Sequence, residues 1–258
     1  MPDTVLFLQI VVLLGSGLAA ARLFQNGLYR RYSALCSFLV FRLVSGTIPL
    51  IFENSQRGRL YFVIYVGIQP FIWTLYVLMV REVYGLALAS HRGLHTLGRW
   101  AMYVAVVISV AVSLLSILTK ITPKTPQISR IIGYVFAIDR GVNFALVLFI
   151  LMILFFLSRY PVPLSRNVVR DSSILFVYFL SNTAGILLRS MYGPGIMSAT
   201  ISNVLLGIAT LATLAWLFLI TPAGEGIRKV MGIAPQHEQR ILQQLDSLNA
   251  TLLKISRN

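Results

Sequence analysis

The chain has 258 residues, 57% of them hydrophobic and 12% charged, with a net charge of +14. Soluble domains carry roughly 25% charged residues, so this load cannot cover a water-facing surface and lipid is the expected solvent for much of the chain. The 22 basic residues lie almost entirely between apolar runs, where cytoplasmic loops meet anionic lipid, so no nucleic-acid partner is expected.

A helix needs about 20 apolar residues to cross the hydrocarbon core. Seven stretches qualify: 4–24, 33–52, 60–84, 100–119, 131–157, 172–190 and 197–220. Their apolar runs are continuous rather than alternating, which predicts an all-α, polytopic seven-transmembrane-helix bundle and not a barrel. The bundle is assigned to residues 1–222, a linker to 223–236 and a polar helix to 237–258.

The first span is preceded by a single charged side chain, Asp3, and followed by Arg22. Ala19-Ala20-Ala21 resembles a cleavage site, but a signal peptide needs a basic start, so a retained helix with its N-terminus outside is expected. Gly15-Ser16-Gly17 with Ala19 and Ala21 permits close helix approach. The second span holds the lone cysteine, Cys36, which excludes an intrachain disulfide and a cysteine metal cluster. It also holds Arg42, ten residues in and too deep to reach either surface fully.

The third span carries Tyr65, Gln69, Trp73 and Tyr76 on one face, with Pro70 beside them. His91 and His95 follow at metal-ligand spacing, but in an Arg-rich loop without a carboxylate, so no metal is expected. The fifth span contains Asp139-Arg140, about nine residues from its start, and Asn143 one turn on. Asp139 reads as the one acid in a span core, and Arg42 is its natural partner if the second and fifth helices are close. The sixth span carries Tyr178, Asn182, Gly185 and Arg189 on one face, and the seventh offers Asn203 and Gly207. The seventh holds no lysine, which excludes retinal Schiff-base chemistry.

Counting basic residues near the spans, an outside N-terminus places eleven inside and six outside. That bias predicts a cytoplasmic C-terminus. Tyr29, Tyr32, Tyr61, Tyr84, Trp100, Tyr103, Tyr160 and Tyr192 fall near span ends and are expected to anchor at the head groups. Trp73 and Glu82 are nine residues apart, as are Trp216 and Glu225. This spacing and two similar basic exits suggest a 3+1+3 parallel repeat; chance recurrence is the alternative.

Beyond Pro222 and Gly224 the composition turns polar. Ile241, Leu245, Leu248, Leu252 and Ile255 follow the 4-3-4-3 spacing of a coiled-coil stripe. About two and a half heptads are marginal alone, so another copy or a protein partner is expected on it.

Arg42, Gln69, Trp73, Asp139, Arg140, Asn143, Asn182 and Arg189 are the expected ligand-binding residues, in one polar layer. The blander reading is a buried ion pair fixing helix register, with amides bonding across helices. No phosphate loop, nucleophile elbow or paired acids appear, so neither enzyme activity nor a cofactor is expected. Two functions stand: a sensor or assembly protein with a small polar ligand or lipid in the bundle and a partner on the tail, or a small-solute transporter with Arg42 and Asp139 at its site. Short loops suit a bacterial inner membrane.

Overall fold

The computed structural model describes residues 3–52, 58–88, 92–118, 127–159, 165–192 and 196–226, with 243–244 and 246–247. These residues are almost wholly helical: α1 Asp3–Gln25, α2 Ser33–Phe52, α3 Gly58–Ala87, α4 Arg92–Leu118, α5 Gln127–Arg159, α6 Arg166–Tyr192 and α7 Ile196–Leu219. Short 3-10 turns occupy Leu28–Arg30 and Pro222–Glu225. Among the described residues five helices are long and apolar enough to cross a membrane: α1, α3, α5, α6 and α7. Ser33–Ile48 and Trp100–Leu115 are apolar but shorter over that range.

The boundaries have local causes. α1 ends where Gly27 takes φ 70°, the left-handed conformation that closes a helix. Gly27 and Asn26 donate back to the carbonyls of Phe24 and Arg22. α2 then opens at Ser33 under an anion: Glu82 accepts from Ser33 Oγ at 3.0 Å, Ala34 N at 2.9 Å and Leu35 N at 3.2 Å. The carboxylate fills the first turn's empty donors and meets the positive end of the helix. α3 runs through Pro70 without a break.

Helices adjacent in sequence pack side by side, and α7 returns to α1; α3 also packs on α5 and α6. Small residues set the closest approaches. A side chain on Gly141 would strike the backbone of α4 at Val110, 2.8 Å from its Cα. Ser16 and Ala19 are buried and Gly15 faces Thr213 of α7, so this part of the small cluster of α1 packs internally, while Ala21 is exposed.

Burial is uneven along the helix axes. The core gathers at the end where α1, α3, α5 and α7 finish and α2 and α6 begin: Tyr32, Leu39, Val80, Ile150, Leu175 and Trp216 are all within it. Polar bonds lock the same end. Arg22 Nη1 donates to Leu217 O, and Arg170 Nη1 to Leu219 O at 2.7 Å. Asn167 Nδ2 reaches Thr221 O at 2.7 Å and Glu225 at 2.6 Å. These donors satisfy carbonyls at the end of α7 that the helix itself leaves open.

Three sequence expectations are corrected here. α6 starts at Arg166, not 172, because its polar first turn serves α7 rather than water. Asp139 is therefore not the one acid deep in a helix: Asp171 of α6 is fully buried and bonded to Trp216 Nε1 at 2.9 Å. Tyr32 and Tyr84 are core residues and not head-group anchors. Burial and the bond to Glu225 push the Tyr32 phenol well above its ordinary pKa, so it stays a donor. In the tail, Ile241, Leu245, Leu248, Leu252 and Ile255 lie outside the described residues, as does His91; Gln243, Gln244, Asp246 and Ser247 are helical and exposed.

Candidate ligand site

The polar residues fall in the less tightly packed half, and they do not line one pocket. The structure sorts them into three places.

The first is a cavity of about 250 Å³ between α1, α2, α3 and α7. Arg42, Ser45, Gln69 and Gln9 supply its polar wall, and Val12, Ile48 and Ile72 part of the apolar one. Arg42 projects from the middle of α2 over an aromatic bed: its guanidinium carbon lies 5.7 Å from the ring centres of both Phe38 and Tyr178. That bed continues through Tyr76, Phe179 and Trp216, and the hydroxyls of Tyr76 and Tyr178 share a hydrogen bond of 2.8 Å. Ring faces attract a cation but offer its N–H groups no acceptor. Arg42 Nη1 is accordingly buried with no hydrogen-bond partner. Gln9 Oε1, on the facing helix, is buried and unpartnered as well. An unmade bond to a buried polar atom costs about 1–3 kcal/mol, more for a charged one. A donor and an acceptor left open at one cavity describe the complement of a small molecule with an anionic group and an N–H or O–H.

The second place is the α3–α5 contact. Trp73 Nε1 donates to Asp139 Oδ1 at 3.0 Å, and Asn143 Nδ2 donates to the same oxygen at 2.9 Å. Asn143 also reaches the Asp139 carbonyl at 2.8 Å, while its own Oδ1 is buried without a partner. On α6, Arg189 Nη2 donates to Ser202 Oγ of α7 at 2.7 Å, and its Nε is buried and unpartnered. Arg42 and Asp139 therefore form no ion pair. α2 packs on α1 and α3, and the indole and amide take the carboxylate that Arg42 was expected to meet.

The third place holds Arg140 alone. It points toward α4, where Nη2 lies 3.5 Å from the Ser113 carbonyl. Neighbours on a helix diverge by about 100°, so Asp139 facing α3 turns Arg140 away from it. Asn182, one turn beyond Tyr178, is half-buried and makes no hydrogen bond among the described residues.

Gln9 and Ser45 are members that the sequence reading missed. Gln9 carried a signal, as the one amide inside the first span; Ser45, a hydroxyl that a helix can bond to its own backbone, carried none. No family model matches the chain, and neither a curated protein nor a solved structure matches it.

Proposed function

We propose that this chain is a seven-span membrane protein that holds a small polar, anionic ligand at Arg42 and works without catalysis, as a sensor or assembly protein. The observation that carries the reading is the pair of unpartnered buried atoms, Arg42 Nη1 and Gln9 Oε1, at one cavity. In this reading α2 and α4 cross the bilayer together with α1, α3, α5, α6 and α7. α2 starts eight residues after α1 ends and returns along it. The N-terminus lies outside and the C-terminus in the cytoplasm, in a bacterial inner membrane, as the basic residues favour. The stripe Ile241–Ile255 carries the output, binding a second copy or another protein.

Transport is the second reading, with Arg42 and Asp139 along the path. The locked end of the bundle argues against it, since a path would have to break the bonds of Glu82, Asn167, Asp171 and Glu225. A parallel repeat draws support from the two glutamates: Glu82 caps the start of α2, and Glu225 bonds Asn167 at the start of α6. The tryptophans depart from it, because Trp73 meets α5 and Trp216 meets α6.

Native mass spectrometry of the full chain, released from mild detergent, tests the proposal. A retained small solute on the wild type, lost on Arg42→Gln, is the expected result. An empty cavity in every preparation overturns it. Uptake into proteoliposomes abolished by Asp139→Asn and kept after truncation at Pro235 would establish the transporter instead.

A further inference from the structure

Arg140 is the charged side chain that the central site does not use. It lies at one end of a groove of about 720 Å³ between α4, α5 and α6, within the range of about 300–1,000 Å³ of small-molecule sites. Ala101, Ala105, Ser109 and Ser113 form the α4 wall at a constant spacing of four, which keeps that wall low along its whole length. At 1.5 Å per residue the wall is about 18 Å long. Ala145, Leu148 and Met152 run along the opposite side. Away from Arg140 the surface is hydrocarbon, interrupted by small hydroxyls. The rim residues Ile108, Val112, Phe144 and Leu187 are exposed, so the groove opens sideways, toward lipid in a membrane.

Charge decides what fits. α4 contains no acid, α5 contains only Asp139 and α6 only Asp171. Asp139 is engaged by Trp73 and Asn143, and Asp171 by Trp216, on other faces. Among the described residues the guanidinium of Arg140 has one contact, the 3.5 Å approach to a carbonyl. A hydrogen bond that long is weak, and a cation inside an apolar segment needs an anion. No acid of α4, α5 or α6 is left to meet it, so an anion from outside the chain fits there.

We propose that this groove binds a long-chain fatty acid, with its carboxylate on Arg140 and its alkyl chain laid along α4 and α5 toward Ala101 and Met152. A guanidinium matches a carboxylate with two parallel hydrogen bonds. A carboxylic acid can enter the membrane protonated and ionise against the cation, whereas a phosphodiester stays charged at every depth. One unbranched chain also suits a groove with a low wall of alanine and serine.

The test uses the full-length protein in nanodiscs of phosphatidylcholine and the fluorescent fatty acid cis-parinaric acid. Saturable binding is expected, displaced by palmitic acid and not by its methyl ester. Arg140→Gln weakens it at least tenfold, and Ala105→Phe, which keeps the cation and fills the groove, abolishes it. Ala105 is exposed, so this second variant decides the matter if Arg140→Gln does not fold. Binding no greater than in empty nanodiscs overturns the proposal. So does equal displacement by the methyl ester, which means apolar lipid contact alone, or a dimer that covers the groove and excludes the probe.

Discussion

Asp139 of α5 and Asp171 of α6 each accept a hydrogen bond from an indole. Trp73 donates to Asp139 and Trp216 to Asp171, each across a helix boundary. A rigid N–H on a large apolar ring satisfies a carboxylate while keeping the surroundings dry. Removing the donor strands the charge. Trp216→Phe is expected to destabilise the protein by about 1–3 kcal/mol. Asp171→Asn, which keeps an acceptor, should lessen that loss, with a coupling of about 0.5–3 kcal/mol in a double-mutant cycle followed by unfolding in mixed micelles. Additive effects would mean the bond contributes nothing. At this scale the sequence singled out Asp139 but offered it Arg42 as a partner, and it passed over Asp171. Charge alone nominates Arg42 for Asp139; only helix rotation shows that an indole is nearer.

Helix ends and crossings carry the next set of consequences. Glu82 caps α2 from another helix, so Glu82→Ala should cost about 0.5–2 kcal/mol, the usual loss for a missing cap, and Glu82→Gln less. Gly141 and Gly207 make a matched pair. Gly141→Ala drives a methyl into the α4 backbone, while nothing lies within 4 Å of the equivalent position at Gly207. Thermal unfolding should show Gly141→Ala clearly destabilised and Gly207→Ala unchanged or improved by up to about 1 kcal/mol. Similar behaviour of the two would argue against the close α4–α5 crossing. The centres of the helices were legible from hydropathy alone. The starts of α4, α5 and α6 lie four to eight residues earlier than hydropathy placed them. Their first turns are polar, and hydropathy cannot tell a polar turn bonded to a neighbour from one in water.

Across the whole molecule one half is locked and the other carries the cavity. Tyr32, Arg31 and Asn167 converge on Glu225, where the chain leaves α7; the ion pair from Arg31 Nε is 2.9 Å. The Tyr32 phenol is held protonated by burial, so this contact should be insensitive to pH across the neutral and mildly alkaline range. Tyr32→Phe should loosen the exit and cost about 1–3 kcal/mol, read as earlier proteolysis after Glu225 in detergent. The proposed topology predicts that a single cysteine at Asn258, in a Cys36→Ser background, reacts with an impermeant thiol reagent only from the cytoplasmic side. Labelling from outside would reverse every orientation drawn here.

By itself, the sequence determined the environment and the class of the fold. Low charge and long continuous apolar runs leave a helical, lipid-compatible chain as the solution, because unpaired backbone is not tolerated in hydrocarbon. It also singled out Arg42, Asp139, Arg140 and several amides, since an Arg, Asp or amide in such a run stands out against its neighbours. The tertiary structure decided how those residues divide. Arg42 faces Gln9 over a bed of rings, Asp139 turns to Trp73, and Arg140 turns to α4. The reason is geometric: successive residues on a helix differ by about 100°, and which neighbour each one meets depends on rotations and crossings set by packing along the whole helix.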